Sequence, residues 1–191
     1  MKTSFIKSTL VAALSLSALG AMAGTIDNSS ISAGAVANTA AVLGSSALQN
    51  IGVAEGNSVI RHSTVNVTGA TNTAAGFASS AKQYLGYTSG SGRIENSSVR
   101  VVNAHNLSAG LGSTAVQKVG FATENGKVVD SHVTALNVFN TSAGFGSTAK
   151  QSIGGAENNG VLKNSTVYVN GAFNTSGGIA TTATQRIGVA R

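Results

Sequence analysis

A tandem repeat of 34 residues fills most of this chain and constrains its fold more than any other feature. The segment NTSAGFGSTAKQSIG occupies residues 140–154, and the similar segment NLSAGLGSTAVQKVG occupies residues 106–120. Five copies follow one another without an insertion or deletion, whereas the loops of ordinary proteins vary in length. This gapless spacing predicts that each copy stacks on its neighbours in register.

Residues that recur at the same place in every copy form columns along the chain. The polar columns are one of glutamine (Gln49, Gln83, Gln117, Gln151 and Gln185), one of asparagine (Asn38, Asn72, Asn106, Asn140 and Asn174) and one of serine (Ser29, Ser63, Ser97, Ser131 and Ser165). An alanine column begins at Ala47 and a glycine column at Gly52. Several neighbouring positions vary freely, so the columns mark what the fold constrains.

Within the opening segment, identity is constrained at every second residue. From Ala143 to Ile153 the odd-numbered positions keep their residue type in all copies, whereas the position of Lys150 is Leu, Lys, Val or Thr. Such a period of two is typical of a strand with one buried face. The pattern predicts that the odd-numbered residues, Phe145 included, face a core.

Two further strands are predicted in each copy. Ser63, Val65 and Val67 share one face of the segment STVNVTG, and a shorter strand is indicated around Ile60. Loops rich in Gly, Asn and Ser, such as GYTSGSG at 86–92, supply the turns between them. Since the chain has no Pro, every coil keeps the amide donors that pairing on both sides requires.

The predicted fold is therefore all-β, a cross-β-like β-solenoid of five stacked repeats with one repeat per coil. The coils are expected at about residues 24–56, 57–92, 93–126, 127–160 and 161–191. Equivalent residues would lie about 4.8 Å apart, the spacing of hydrogen-bonded strands.

The first 23 residues are expected to be a signal peptide that is removed near Ala23. Lys2 and Lys7 precede an apolar run at residues 10–19, and residues 21–23 read Ala-Met-Ala. The run is too short to span a bilayer, so we expect no membrane span in residues 24–191. Export would leave the chain at the cell surface or outside the cell, without disulfides because it has no Cys.

The identical columns are polar, and stacking would explain why they are buried. An isolated buried Gln leaves amide groups unpaired, at a cost of about 1–3 kcal/mol. In a stack, the side-chain amide of Gln83 can donate to Gln49 and accept from Gln117. Ladders of Asn and Gln stabilise cross-β stacking, and serine columns can use their hydroxyls in the same way.

Chemistry typical of an enzyme is not indicated. His62, His105 and His132 fall in three different columns, so no shared metal or catalytic cluster is predicted. The segment GLGSTA at 110–115 matches a dinucleotide-binding pattern but lies inside a repeated strand with no helix after it. Without Lys2 and Lys7 the net charge is +4 with no basic run, which is not typical of nucleic-acid binding. We expect no catalytic activity and no cofactor.

The spacing of the Ser, Asn and Gln columns, with the motif NTSAGFGSTAKQ, resembles the repeats of bacterial functional amyloids, the curli and Fap fibre subunits. The resemblance covers residues 24–191. It implies a secreted subunit, major or nucleating, that polymerises with itself into biofilm or adhesive fibres. It also implies an outer-membrane export pore and a homologous nucleator or major subunit as partners.

The ends of the array resemble its middle, so the fifth copy of one molecule is expected to dock on the first copy of the next. One alternative is a non-amyloid secreted β-solenoid, either an adhesin or a surface-layer protein. Two others are disfavoured: an ice-binding solenoid would need a flat Thr array, and a β-helical polysaccharide enzyme would need clustered carboxylates, whereas the six acidic residues are scattered.

Overall fold

The computed structural model describes residues 25–56 and 59–190, and the predicted signal peptide at residues 1–23 lies outside them. Strands and turns build this part of the chain, and it holds no helix long and apolar enough to cross a membrane. The predicted fold class is confirmed: parallel strands with a 34-residue step stack into a β-solenoid of five coils.

Coil 1 contains β1 (Ile26–Asp27), β2 (Ser30–Gly34), β3 (Ala37–Ala41) and β4 (Ser46–Ala54). Coil 2 contains β5 (Val59–Arg61), β6 (Thr64–Thr68), β7 (Thr71–Ala75) and β8 (Ser80–Thr88). Coil 3 contains β9 (Arg93–Glu95), β10 (Ser98–Ala109) and β11 (Thr114–Val119). Coil 4 contains β12 (Lys127–Val129), β13 (His132–Ala143) and β14 (Thr148–Ile153). Coil 5 contains β15 (Val161–Lys163), β16 (Thr166–Gly177) and β17 (Thr182–Ile187).

Three parallel sheets run along the solenoid, and each coil contributes to all of them. The short sheet has the order β1-β5-β9-β12-β15. The bent sheet has the order β16-β13-β10-β6-β2, with β3 and β7 continuing the path of β2 and β6. The glutamine sheet has the order β17-β14-β11-β8-β4. Gln117 pairs with Gln83 on one side and Gln151 on the other, so the register equals the repeat.

The strands of the bent sheet change direction at a residue with positive φ. In β10, Val99 and Val101 are buried before this point, whereas Ala104 and Asn106 are buried after it. Asn103 lies between them with φ 54° and shifts the alternation by one residue. Its column consists of Ala35, Gly69, Asn103, Asn137 and Gly171, all with positive φ. This bend turns the asparagine column inward on a strand segment that the sequence pattern had left without an element.

The glycine column has both a conformational and a steric cause. Gly86 has φ +59°, and a Cβ added there would lie 2.5 Å from Cγ1 of Val99, in the core. A Cβ added at Gly120 would lie 2.5 Å from Cγ1 of Val133, and one added at Gly154 would lie 2.5 Å from Cγ1 of Val167. A larger residue in these central coils would push the glutamine sheet away from the bent sheet.

The prediction that Phe145 faces the core is wrong. Its side chain is 54% exposed, whereas Ala149 and Gln151 on the following strand are buried. Phe145 lies in the turn before β14, between Gly144 at φ +137° and Gly146 at φ +65°. An alternating pattern holds only along a continuous strand, so it cannot be extended through this turn.

Candidate functional site

The glutamine column forms one continuous file of hydrogen bonds. The Nε2 of each glutamine donates to the Oε1 of the glutamine one coil earlier, at 2.7 Å for Gln83 to Gln49 and 2.6 Å for Gln117 to Gln83. Gln151 and Gln185 continue the file at 2.7 and 2.6 Å. The alternating pattern of the glutamine sheet turns these side chains inward, and Gln83 and Gln117 have no solvent exposure.

The asparagine column forms a second file and also joins two sheets. Asn72 Nδ2 donates to Asn106 Oδ1 at 2.8 Å, and Asn106 donates to Asn140 at 2.7 Å. The same Asn72 amide lies 2.9 Å from the backbone oxygen of Lys82, on the glutamine sheet. Asn38 donates to Asn72 at 2.9 Å and Asn140 to Asn174 at 2.7 Å, so the file includes all five coils.

The two files have opposite polarity. Asparagine donates toward the next coil in the chain, whereas glutamine donates toward the previous coil. At the end of each file, one group is left to face a further coil. Coil 1 offers the acceptor Oδ1 of Asn38 and the donor Nε2 of Gln49. Coil 5 offers the donor Nδ2 of Asn174 and the acceptor Oε1 of Gln185. The two ends are therefore chemically complementary.

The serine column is also in register, but its hydroxyls do not contact one another. The backbone N–H of Ser63 donates to Ser97 Oγ at 3.2 Å, and that hydroxyl donates to the Glu95 carbonyl at 2.7 Å. The cause is reach: equivalent atoms in adjacent coils are about 4.8 Å apart, whereas a hydroxyl hydrogen bond needs about 2.7 Å. Ser29, Ser131 and Ser165 follow the same arrangement. This column caps turns between the short sheet and the bent sheet.

A set of buried hydroxyl pairs was not predicted. Ser79 and Ser108 lie 3.1 Å apart at their Oγ atoms, and Ser113 and Ser142 repeat this contact at 3.1 Å. Each pair closes the corner between the bent sheet and the glutamine sheet. The signal was present as two Ser/Ala/Thr columns five residues apart, but their contact depends on the corner.

Lys118 forms a further unpredicted contact, where coil 2 meets coil 3. Its Nζ donates to Tyr87 Oη at 3.2 Å and lies 4.7 Å from the centre of that ring. Tyr87 Oη is in turn 2.8 Å from Thr123 Oγ1. Burial lowers the pKa of Lys118 and raises the pKa of Tyr87. The cluster fastens one corner of the solenoid but does not recur in other coils.

The three histidines make different contacts. His62 Nδ1 is 3.3 Å from Asp27, while the ring of His105 stacks on Phe139 at 4.7 Å. His132 lines a shallow groove that His62 and Asp130 also line. Within residues 25–56 and 59–190, no group of three His, Cys, Asp or Glu side chains is arranged to hold a metal ion.

The ends of the sheets are open in the described part of the chain. Strands β16 and β17 are terminal strands of their sheets, as are β2 and β4 at the other end. The last coil is less buried than the coil before it: Ile153 is fully buried, whereas Ile187, in the same column one coil later, is 42% exposed. Unpaired strand edges of this kind are templates for another strand.

Charge also distinguishes the two ends. Asp27, in coil 1, is held by Arg61 at 2.6 Å, and this hydrogen bond lowers the pKa of the carboxyl group below its ordinary value. The same column ends at Lys163 in coil 5. One more step of the repeat would place the ammonium of Lys163 over the carboxylate of an Asp27.

Comparison with protein-family models, with curated proteins and with solved structures finds no match to the chain. The function is therefore inferred from the geometry of the ladders and of the coil ends.

Proposed function

We propose that this protein is a secreted structural subunit that assembles head to tail into extracellular amyloid-like fibres of a biofilm matrix or adhesive surface. The observation that carries the proposal is the complementary polarity of the two amide files at the ends of the solenoid. In such a fibre, coil 5 of one molecule takes coil 1 of the next as its sixth coil. The contact is heterologous and does not close, so it propagates.

Head-to-tail docking would continue both ladders without reversing them. Asn174 Nδ2 would donate to Asn38 Oδ1 of the next molecule, and Gln49 Nε2 of that molecule would donate to Gln185 Oε1. In the interior of the chain the same contacts measure 2.6–2.9 Å. A buried amide group left unpaired costs about 1–3 kcal/mol, so the register of the junction is selected strongly.

The junction would also cover apolar surface. Ile187 is 42% exposed and Phe173 is 53% exposed, and each would gain a neighbour in its own column. Phe173 already stacks on Phe139 at 5.0 Å, which leaves its opposite ring face toward the open end. Ala37 of the next molecule would lie over that face, because it begins the same column.

The partners follow from this role. The subunit would polymerise chiefly with itself, leave the cell through an outer-membrane export pore after its signal peptide is removed, and start on a homologous nucleator or act as one. It would need no cofactor and would act without catalysis. Neither nucleic acid nor a membrane would be part of the assembly.

A non-amyloid adhesin or surface-layer protein is the second candidate. One observation favours it: a shallow groove on the outer face of the bent sheet, lined by Thr71, His105, Phe139 and Thr141 among others. Aromatic and Thr side chains in such a groove would suit a ligand. In that case the solenoid would bind its target without polymerising.

The test is assembly of the purified protein lacking residues 1–23. We expect elongated fibres whose growth is accelerated by preformed seeds, with fibre diffraction near 4.7 and 10 Å. Diffraction should show the strand repeat along the fibre axis, as coil stacking requires. A protein that remains monomeric in sedimentation at high concentration, with and without seeds, would contradict the proposal and favour the adhesin.

A further inference from the structure

An apolar ridge runs along the corner between the bent sheet and the glutamine sheet. It consists of one large side chain from each coil, at the same position of the repeat: Leu43, Phe77, Leu111, Phe145 and Ile179. These side chains are 47–81% exposed, although residues of these types are usually buried.

The ridge is bordered by small residues. On one side lie Gly76, Gly110, Gly144 and Gly178, with Val42 in coil 1, and on the other lie Gly44, Ala78, Gly112, Gly146 and Ala180. From coil 2 onward the first border has no room for a side chain, because a Cβ on Gly110 would lie 1.8 Å from the carbonyl oxygen of Gly76. The ridge therefore stands between two shallow grooves. A second ridge of the same spacing can lie in such a groove.

Charge is excluded from this corner in every coil. The segments 37–47, 71–81, 105–115, 139–149 and 173–183 contain no Asp, Glu, Lys or Arg. Without Lys2 and Lys7 the chain keeps a formal net charge of +4, so two copies repel each other on average. Along the ridge, two copies can approach without bringing like charges together.

The exposed area suits an interface between two proteins. At 47–81% exposure, each ridge side chain offers roughly 100 Å² and the five together roughly 500 Å². That is at the upper end for the largest apolar patch of a monomer. A stable interface buries about 800 Å² per partner, so the ridge side chains would supply more than half of it and the residues that border them the rest.

We propose that the ridge is a lateral docking surface for a second copy of this chain, with the ridge of each copy lying in a groove of the other. The spacing selects the partner: a matching surface must offer one apolar side chain every 4.8 Å or so over five steps, as this solenoid does. Side-by-side pairing goes beyond head-to-tail growth and does not depend on it. In a fibre, the same contact would bundle filaments, because it recurs in every subunit.

The experiment separates lateral pairing from end-to-end growth. The ridge variant carries Phe77→Ser, Leu111→Ser and Phe145→Ser, all in interior coils. Its matched control carries Val102→Ser, Val116→Ser and Leu136→Ser, which remove three partly exposed apolar side chains outside the ridge. Circular dichroism checks that both remain β-rich. Sedimentation velocity then measures dimerisation in a background that carries Gln49→Glu to block the coil 1 end.

The ridge variant should weaken the dimer at least about 100-fold, because three apolar side chains lose their burial, while the control stays within about threefold. In this cysteine-free chain, Leu111→Cys should form disulfide-linked dimers on mild oxidation, and Val116→Cys should not. Equal dimerisation of both triple variants, or no cross-link at 111, would overturn the proposal. So would a ridge variant that pairs normally but no longer binds phosphatidylcholine vesicles, because the occupant would then be a lipid surface. Failure of fibre growth with intact lateral dimers would contradict only the head-to-tail function.

Discussion

Gln117 donates its side-chain amide to Gln83 Oε1 at 2.6 Å, across the gap between two coils and without solvent exposure of either side chain. The same Gln117 accepts from Gln151 at 2.7 Å, so one amide satisfies two neighbours. This sharing allows a polar column to occupy the interior of the solenoid. It also makes each coil depend on the side chains of the coils above and below it.

Gln117→Ala should therefore destabilise the solenoid by about 2–4 kcal/mol, because it leaves the Gln83 oxygen without its donor and opens a cavity. Chemical denaturation followed by circular dichroism measures the change. Val116→Ala, on the same strand but half-exposed, is the control and should cost less than about 1 kcal/mol. Equal losses for the two variants would mean that the buried file contributes nothing to stability.

The polarity of the ladders predicts unequal effects on elongation for two isosteric variants. Gln49→Glu keeps the acceptor for Gln83 but removes the donor that would face Gln185 of the preceding molecule. Gln185→Glu removes the donor to Gln151 but keeps the acceptor that faces the next molecule.

We expect Gln49→Glu to slow seeded elongation at least about tenfold, because it sets two acceptors against each other in the junction. Gln185→Glu should lower stability yet elongate with less loss. Thioflavin-T kinetics with wild-type seeds measures both rates. The reverse order of effects would contradict the head-to-tail direction.

The fold could be predicted from sequence because the repeat constrains it in two ways. A fixed step of 34 residues requires stacking, and alternation within a copy requires strands, so Gln49 to Gln185 could be placed in one file before any coordinates. The prediction of hydroxyl contacts along the serine column was wrong, because identity in a column does not reveal whether a side chain is long enough to reach its neighbour.

Other features depend on single contacts or on backbone conformation. The bend at Asn103 is encoded by residues as different as Ala35 and Gly171, which share only a positive φ. The contact between Lys118 and Tyr87 does not repeat from coil to coil, so no periodicity in the sequence predicts it. Phe145 alternates in phase with buried residues but lies in a turn and is exposed, and the sequence pattern does not distinguish a residue of a turn from one of a strand.

Val42 occupies the coil 1 position that is glycine in every other coil. In the interior, a Cβ at Gly144 would lie 1.9 Å from the carbonyl oxygen of Gly110. A molecule docked below coil 1 would bring the Gly178 carbonyl close to the position of Val42, whose side chain is larger than that of the glycine in the other coils. Natural sheets use such features to protect an edge from premature pairing.

Val42→Gly should accordingly raise the elongation rate about 3- to 10-fold, because relief of about 1 kcal/mol of overpacking corresponds to such a factor. Leu48→Ala, which removes an exposed apolar side chain of coil 1 outside the ridge, is the control and should leave the rate near that of wild type. Seeded growth is measured at equal protein concentration. A slower Val42→Gly variant would show that Val42 is part of the junction and does not obstruct it.

Lys163 should contribute to the junction through Asp27 of the next molecule. Lys163→Glu replaces an attraction by a repulsion between exposed charges, which should slow elongation about 3- to 10-fold. The effect should shrink in salt, since exposed charges are screened. Lys127→Glu makes the same change of net charge on the same sheet in interior coil 4, so it should affect growth less. Equal slowing by both variants would assign the effect to net charge.

Acid should weaken coil 1 through Asp27. The Arg61 guanidinium holds the pKa of this carboxyl group below its ordinary value of 3.8, so the folded state binds its proton less readily than the unfolded state. The stabilisation is fully present above pH 3.8 and is lost as the pH falls through the lowered pKa. Stability measured from about pH 6 down to pH 2 should therefore decline less steeply below 3.8 in Asp27→Asn than in the wild type. Introducing Arg61→Gln should remove most of that difference, because Arg61 is the largest cause of the lowered pKa and His62, 3.3 Å from Asp27, is a smaller one. A difference between Asp27 and Asn that persists undiminished in the Arg61→Gln background would assign the acid sensitivity to another contact of Asp27.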